Sequence, residues 1–190
     1  MKNTGKLNII VIALSCILLS ACGTLGSSVS SIIGLDKPAE QQLYGTWNYQ
    51  QPSVAFTSKN LLAKAGGEVA ATQIKNKLKP QYQYVGFNSV NTAFTLNPDK
   101  TFSAKFLGRT IGGTYEYEPV TCKLTFHFIL LNLPCYVKRT AKGMAFLLES
   151  KKLLSLFRTA AIISGNDEMK IVGELSKNYE GIRIGFDMAK

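Results

Sequence analysis

Over residues 43–149, hydrophobic and polar side chains alternate in short runs separated by turn residues. In the segment 44–56, Trp47 and Tyr49 fall on one face and Asn48 falls on the other. A period of two residues is typical of a strand with one face in a core and the other in solvent. The pattern predicts eight strands, near residues 44–56, 92–97, 101–107, 112–118, 122–129, 133–140, 144–149 and 181–190.

Proline residues help to place the predicted breaks between strands. The segment Asn97–Lys100 contains Pro98 and Asp99, which suit the positions of a tight turn, so we expect a hairpin there. Pro52 has no backbone N–H to donate to a sheet ladder. We therefore expect the first strand to be interrupted near this residue.

Two regions break the alternation and predict helices. In residues 58–79, the apolar residues Leu61, Ala65 and Val69 recur every four positions, which gathers them on one side of a helix. Proline disrupts a helix interior, so we expect this helix to end at Pro80.

A similar spacing after Ser150 predicts two more helices. The first contains Leu153 and Phe157 and ends near Gly165, and the second runs from about Asn166 to Ser176. Both precede the last predicted strand.

Eight antiparallel strands of this length can close into a small barrel that leaves no unpaired edge. Closure requires the last strand to pair with the first. The prediction is therefore a mainly β fold, an eight-stranded antiparallel up-and-down barrel with three inserted helices. One helix follows the first strand and two precede the last.

The strand alternation also assigns large side chains to the inside of the barrel. They have two interpretations: a filled hydrophobic core, or an apolar pocket for a lipid-like ligand with tyrosine hydroxyls as its polar contacts. The predicted barrel-lining residues are Trp47, Phe94, Phe102, Phe106, Tyr115, Tyr117, Phe126, Phe128, Phe146 and Phe186.

The first residues have the layout of a secretory signal, with Lys2 and Lys6 ahead of an apolar run that ends at small residues. The sequence Leu19-Ser20-Ala21-Cys22 resembles the lipobox of bacterial lipoproteins, in which the cysteine is acylated and becomes the first mature residue. The resemblance implies a signal peptide over 1–21, a lipid anchor and flexible tether over 22–42, and a barrel domain over 43–190. It implies attachment to the membrane through acylated Cys22. Gly23 favours delivery to the outer membrane, with the periplasmic or surface orientation left open.

Two thiols remain in such a mature chain, Cys122 and Cys135. An oxidising compartment favours a disulfide between them. A hairpin turn near residues 129–132 opposes it, because Cys135 would then face Phe126 and lie about 13 Å along the strand from Cys122. Both alternatives stay open from the sequence.

The chain carries a formal net charge of +10, and removal of a signal with two lysines leaves +8. The basic residues are mostly scattered lysines. Solvated surfaces explain this scatter better than a dedicated patch, and attraction to an anionic membrane is the next alternative. We expect no nucleic-acid partner, because an exported and anchored protein rarely meets nucleic acid.

Further motifs carry a second resemblance. The Gly45-Thr46-Trp47 of the first strand resembles the opening strand of lipocalins and fatty-acid-binding proteins, the calycin group. A closer resemblance, to a family of lipocalin-like bacterial lipoproteins without assigned activity, rests on the lipobox, residues 43–47, the helical segment 65–78 and the terminal segment 179–186. The resemblance implies a barrel fold in an exported, lipid-anchored protein, and it implies no particular substrate.

Catalytic motifs are not found in the sequence. The single histidine, His127, excludes a metal site built on a histidine pair, and its strand position predicts a solvent-facing side chain. Glu116 and Glu118 share a strand face and could pair as acid and base, but a solvated surface is the better interpretation. We therefore expect that the protein is not an enzyme and that it binds no metal and no cofactor.

The sequence leaves two hypotheses about function. The first is an exported, lipid-anchored barrel that binds a small hydrophobic ligand near the outer membrane. The alternative is a non-catalytic module with a filled barrel that contacts another protein of the cell envelope.

Overall fold

The computed structural model describes residues 37–58, 66, 68–106, 108–129, 131–149, 151–153 and 181–190. Its elements, in chain order, are α1 (Glu40–Leu43), β1 (Gly45–Phe56), α2 (Glu68–Val85), β2 (Ala93–Leu96), β3 (Thr101–Phe106), β4 (Arg109–Glu118), β5 (Lys123–His127), β6 (Asn132–Arg139), β7 (Met144–Glu149) and β8 (Ile182–Ala189).

The eight strands form a closed barrel in which each strand pairs antiparallel with the next along the chain. β8 closes the barrel by pairing with β1 from Phe56 opposite Ile182 to Asn48 opposite Ala189. The predicted up-and-down barrel is therefore confirmed. Closure gives every strand two neighbours, which removes the exposed edge that an open sheet would present.

Because the strands alternate in direction, the connections divide between two ends of the barrel. The segments that follow β1, β3, β5 and β7 leave at one end, which we call the upper end. The turns that follow β2, β4 and β6 lie at the opposite end, which we call the lower end, together with α1 and the final residue Lys190. The chain thus enters and leaves the described barrel at its lower end.

The prediction that the first strand is interrupted near Pro52 is wrong. β1 continues through Pro52, which lies opposite Phe186 of β8. The irregularity instead falls between Tyr49 and Gln51, where the register with β8 shifts. A bulge next to a proline accommodates the missing N–H without ending the strand.

The prediction that the first long helix ends at Pro80 is also wrong. α2 continues through Pro80 to Val85. Leu78 and Tyr82, on either side of the proline, are both fully buried, and their burial offsets the hydrogen bond that the proline cannot make. Most of the predicted start of this helix, residues 59–65 and 67, lies outside the described residues.

The two helices predicted before the last strand fall mostly outside the described residues. Residues 151–153 are helical, and residues 154–180 are not described.

The β5–β6 hairpin is tighter than the sequence predicts. Phe128 donates a backbone hydrogen bond to Leu131 at 2.8 Å, and Cys135 lies opposite Leu124 rather than Phe126. The carbonyl of Cys122 accepts a hydrogen bond from the N–H of Val137 at 2.8 Å. Cys122 and Cys135 are therefore offset by two residues on paired strands, about 7 Å along the strand direction.

Both cysteines are buried free thiols. Their offset along the strands, added to the spacing between strands, exceeds the span of about 7 Å between Cα atoms that a disulfide allows. Burial also raises the pKa of the Cys135 thiol, so the reactive thiolate is disfavoured there.

We predict that neither thiol reacts with iodoacetamide in the native protein and that both react after unfolding in guanidinium chloride without reductant. Burial is the physical reason for the protection. Peptide mass spectrometry measures the labelling, with a reduced sample as the control. A linked pair of peptides containing Cys122 and Cys135 would contradict the register.

Candidate functional site

An aromatic cluster occupies the middle of the barrel, and Phe94 of β2 lies at its centre. The Phe94 ring contacts Phe106 of β3, Phe126 of β5 and Phe146 of β7, with ring centroids 5.2, 5.5 and 5.5 Å apart. Such separations are those of directly packed aromatic rings. β5 and β7 are not neighbours of β2 in the sheet, so these contacts cross the barrel interior. The rings therefore fill the barrel at this level.

The structure brings the predicted barrel-lining residues together in one core. Tyr117 and Phe128 are partly buried and pack against this core. The other eight side chains are buried: Trp47, Phe94, Phe102, Phe106, Tyr115, Phe126, Phe146 and Phe186.

A second aromatic group, which the sequence analysis missed, covers the upper part of this core. Tyr82 of α2 and Phe87 of the following loop pack on Phe186, with centroids 5.5 and 5.3 Å away. Tyr49 stacks on Tyr82 at 6.0 Å. The Tyr82 hydroxyl donates a hydrogen bond to the carbonyl oxygen of Gly185 at 2.9 Å. α2 is thus fastened over the barrel by both packing and a buried hydrogen bond.

The buried position of this group has an electrostatic consequence. Burial raises the pKa of Tyr82 well above its ordinary value, and the neighbouring Tyr49 raises it further. Burial likewise raises the pKa of Tyr49. Both phenols therefore stay protonated, and neither is suited to act as a base.

The sequence contained one signal for this cover. Leu78 and Tyr82 are four positions apart, which continues the apolar face of the helix past Pro80. The prediction that the helix ends at the proline hid this continuation. Phe87 lies in a loop, where no periodicity marks a buried residue.

The lower end of the barrel is closed by the segment that precedes β1. Leu43 of α1 is fully buried, and its carbonyl oxygen accepts a hydrogen bond from the Trp47 indole N–H at 2.7 Å. The Tyr117 hydroxyl donates to the carbonyl oxygen of Pro38 at 2.7 Å. The N-terminal segment is therefore fixed to the barrel by hydrogen bonds from inward-facing aromatic side chains.

The tyrosine hydroxyls proposed as ligand contacts already have partners. Tyr117 bonds to Pro38, and the Tyr115 hydroxyl donates to the carbonyl oxygen of Asn97 at 2.7 Å. Burial raises the pKa of Tyr115 to about 12. Both hydroxyls stabilise the loops of the lower end.

A small cleft lies between α2 and β1, outside the aromatic cluster. Its volume is about 240 Å³, and amide, hydroxyl and amine groups line it together with two rings. The lining residues are Tyr49, Gln50, Gln51, Lys79, Gln83, Phe87, Asn88 and Ser89.

The candidate acid–base residues lie on the outside. His127 is half-buried, its Nδ1 is 2.9 Å from the Asn132 side-chain oxygen, and its Nε2 is 3.6 Å from the exposed Glu116 carboxylate. The Glu118 carboxylate accepts a hydrogen bond from Thr121. Within the part of the chain that the structure describes, no three metal-ligating side chains come together. Among the same residues, no helix has both the length and the hydropathy that a membrane crossing requires.

Comparisons with known proteins place this fold in a family. The crystal structure of a DUF4847 family protein from Bacteroides vulgatus is 17% identical, with a TM-score of 0.35, and the match covers 60% of this chain and 90% of that chain. No curated protein matches the chain. A family model described as lipocalin-like domain (DUF4923) matches residues 20–190. This chain, a closed eight-stranded barrel with an aromatic interior, therefore belongs to the lipocalin-like DUF4923 family.

Proposed function

We propose that this chain is an exported, lipid-anchored protein of the bacterial outer membrane whose filled barrel is a non-catalytic interaction module of the envelope. The observation that carries the filled-barrel part is the contact of Phe94 with rings from across the barrel. The lipobox-like Leu19–Cys22 carries the anchoring part.

The packing of the interior disfavours a carrier of small molecules. Pockets for small molecules typically have volumes of about 300–1,000 Å³. Around Phe94, ring centroids 5.2 to 5.5 Å apart leave no such space. The cleft beside α2 is below that range at about 240 Å³ and lies outside the aromatic cluster.

A lipid anchor at Cys22 would connect to the barrel at its lower end. Lys37 begins the described chain there, and the hydrogen bond from Tyr117 to Pro38 fixes the entering segment to the barrel. A single acyl chain gives only reversible membrane binding, so stable anchoring takes a second signal, such as another chain or a basic surface.

A second candidate function is binding of a hydrophobic ligand. The observation that favours it is the cover formed by Tyr82 and Phe87, which belongs to α2 and its loop rather than to the barrel wall. Displacement of α2 would expose Phe186 and the apolar interior behind it. A ligand could then enter only if the rings around Phe94 also moved.

The filled interior predicts a large loss of stability for Phe94→Ala. Removing a packed ring should lower the free energy of unfolding by about 3–5 kcal/mol, because a cavity replaces its contacts. The matched control is Ile129→Ala, since Ile129 is 96% exposed, and its effect should stay within about 0.5 kcal/mol. Guanidinium unfolding of both variants measures the difference. A loss below about 1 kcal/mol for Phe94→Ala would indicate open space around this ring.

Native mass spectrometry separates the two candidate functions. We expect the protein extracted from its membrane in mild detergent to have the mass of the acylated chain alone, because the rings occupy the interior. The same sample in denaturing solvent provides the control mass. A stoichiometric adduct that is lost on denaturation would support the ligand-binding candidate instead.

The anchor is tested by Cys22→Ala, with Cys16→Ala as the matched control within the same segment. We expect Cys22→Ala to abolish acylation and Cys16→Ala to leave it intact, because only Cys22 ends the lipobox. Metabolic labelling with a palmitate analogue and membrane fractionation measure the two effects. Equal labelling of both variants would refute acylation at Cys22.

A further inference from the structure

The lower end of the barrel presents a ring of exposed cationic side chains. They come from the segment before α1, from the β2–β3 and β6–β7 turns, from the strand ends at this end and from the final residue, so they surround the end instead of lining one groove. The exposed cations are Lys37, Lys100, Lys123, Arg139, Lys142 and Lys190.

Fewer carboxylates oppose these charges. Among the described residues of the lower end, the carboxylates beside the cations are Glu40, Asp99, Glu118 and Asp187, and Asp187 accepts a hydrogen bond from Thr140 of the β6–β7 turn. Glu40 is ion-paired with Lys100. Asp99 accepts hydrogen bonds from the side chain and N–H of Thr101, which lower the pKa of its carboxyl. Asp99 thus stays negatively charged, and the six exposed cations still outnumber the four described carboxylates of this end.

An exposed apolar residue lies among these cations. Val120, in the turn between β4 and β5, is 78% exposed. The Lys37 amine donates a hydrogen bond to the Val120 carbonyl oxygen at 3.3 Å, and Lys123 follows three positions later. An apolar side chain flanked by lysines suits the interface of a membrane, where it enters the headgroup layer while the amines contact phosphates.

The path of the chain identifies the occupant of this surface. Cys22 and Lys37 are 15 positions apart, so the chain between them spans at most about 50 Å. An anchor at Cys22 would keep the lower end within that distance of the lipid that carries it. We propose that the lower end docks on the anionic lipid headgroups of that membrane, through its cations and Val120. This inference rests on the proposed acylation of Cys22.

The upper end provides the comparison. It also carries exposed lysines, including Lys105, Lys151 and Lys152. The chain enters the described barrel at the opposite end, so an anchor joins the barrel farther from these lysines than from those of the lower end. Docking through the lower end therefore predicts that reversing lysine charges weakens membrane docking when the lysines lie at the lower end and has no effect when they lie at the upper end.

Trp47 provides a probe of this geometry in the full acylated protein. It is the chain's single tryptophan, and it lies near the lower end with the Lys190 amine 4.7 Å from its ring. The protein is reconstituted into vesicles that contain a dansyl-labelled lipid headgroup, with either phosphatidylcholine or a mixture of phosphatidylcholine and phosphatidylglycerol. We expect energy transfer from Trp47 to be higher on the anionic vesicles. It should decrease when salt is raised from about 0.1 M to about 1 M, since the screening length falls from about 10 Å to about 3 Å.

Two charge-reversal variants locate the docking surface. Lys37→Glu, Lys123→Glu and Lys142→Glu together alter the lower end, and Lys105→Glu, Lys151→Glu and Lys152→Glu form the matched control. Each lysine near an anionic surface contributes about fivefold to the equilibrium constant for docking. Loss of three lysines should therefore lower this constant by about two orders of magnitude, and the three added carboxylates should lower it further. The control should retain the wild-type transfer. Equal unfolding midpoints establish that both variants fold.

Vesicle flotation separates failure of docking from failure of the anchor. If the protein floats with the vesicles and energy transfer is equal on both lipids, or equally reduced in both variants, the docking proposal is overturned while acylation stands. If the wild-type protein does not float, acylation is overturned and the docking proposal with it.

Discussion

Contact between Phe94 and the rings of Phe126 and Phe146 joins strands that face each other across the barrel. Closure of the sheet places these side chains in a common interior, and their packing in turn stabilises a barrel of this diameter. The hydrogen-bonded ladder alone would permit either a filled or a hollow interior. Packed rings determine which of the two forms this chain adopts.

The two ends of the barrel are built from different parts of the chain and have different properties. At the upper end, α2 contributes Tyr82, whose ring packs on Phe186 and whose hydroxyl bonds to Gly185. At the lower end, the residues that precede β1 are fixed by Trp47 and Tyr117. The polar atoms of the interior aromatic residues thus bind backbone carbonyls at both ends. This leaves the outer surface and the end loops as the regions available to partners.

Much of the barrel was predictable, because alternation directly reports which side of a strand is buried. The assignment of Phe94, Phe126 and Phe146 to the interior needed no further information. Register depends on turn geometry, which alternation does not encode, and Cys135 consequently lies opposite Leu124 instead of Phe126. The course of α2 past Pro80 depends on tertiary burial of Tyr82, which outweighs the local effect of proline. Whether the rings pack or line a pocket depends on their positions across the barrel, so it could not be read from spacing.

The most direct test of the filled barrel is the electron density inside it, in a crystal structure of protein purified from its own membrane. A filled barrel predicts ordered rings of Phe94, Phe106, Phe126 and Phe146 in mutual contact, with no other density between them. Continuous density for a bound molecule along the barrel axis, with these rings displaced toward the wall, would contradict it.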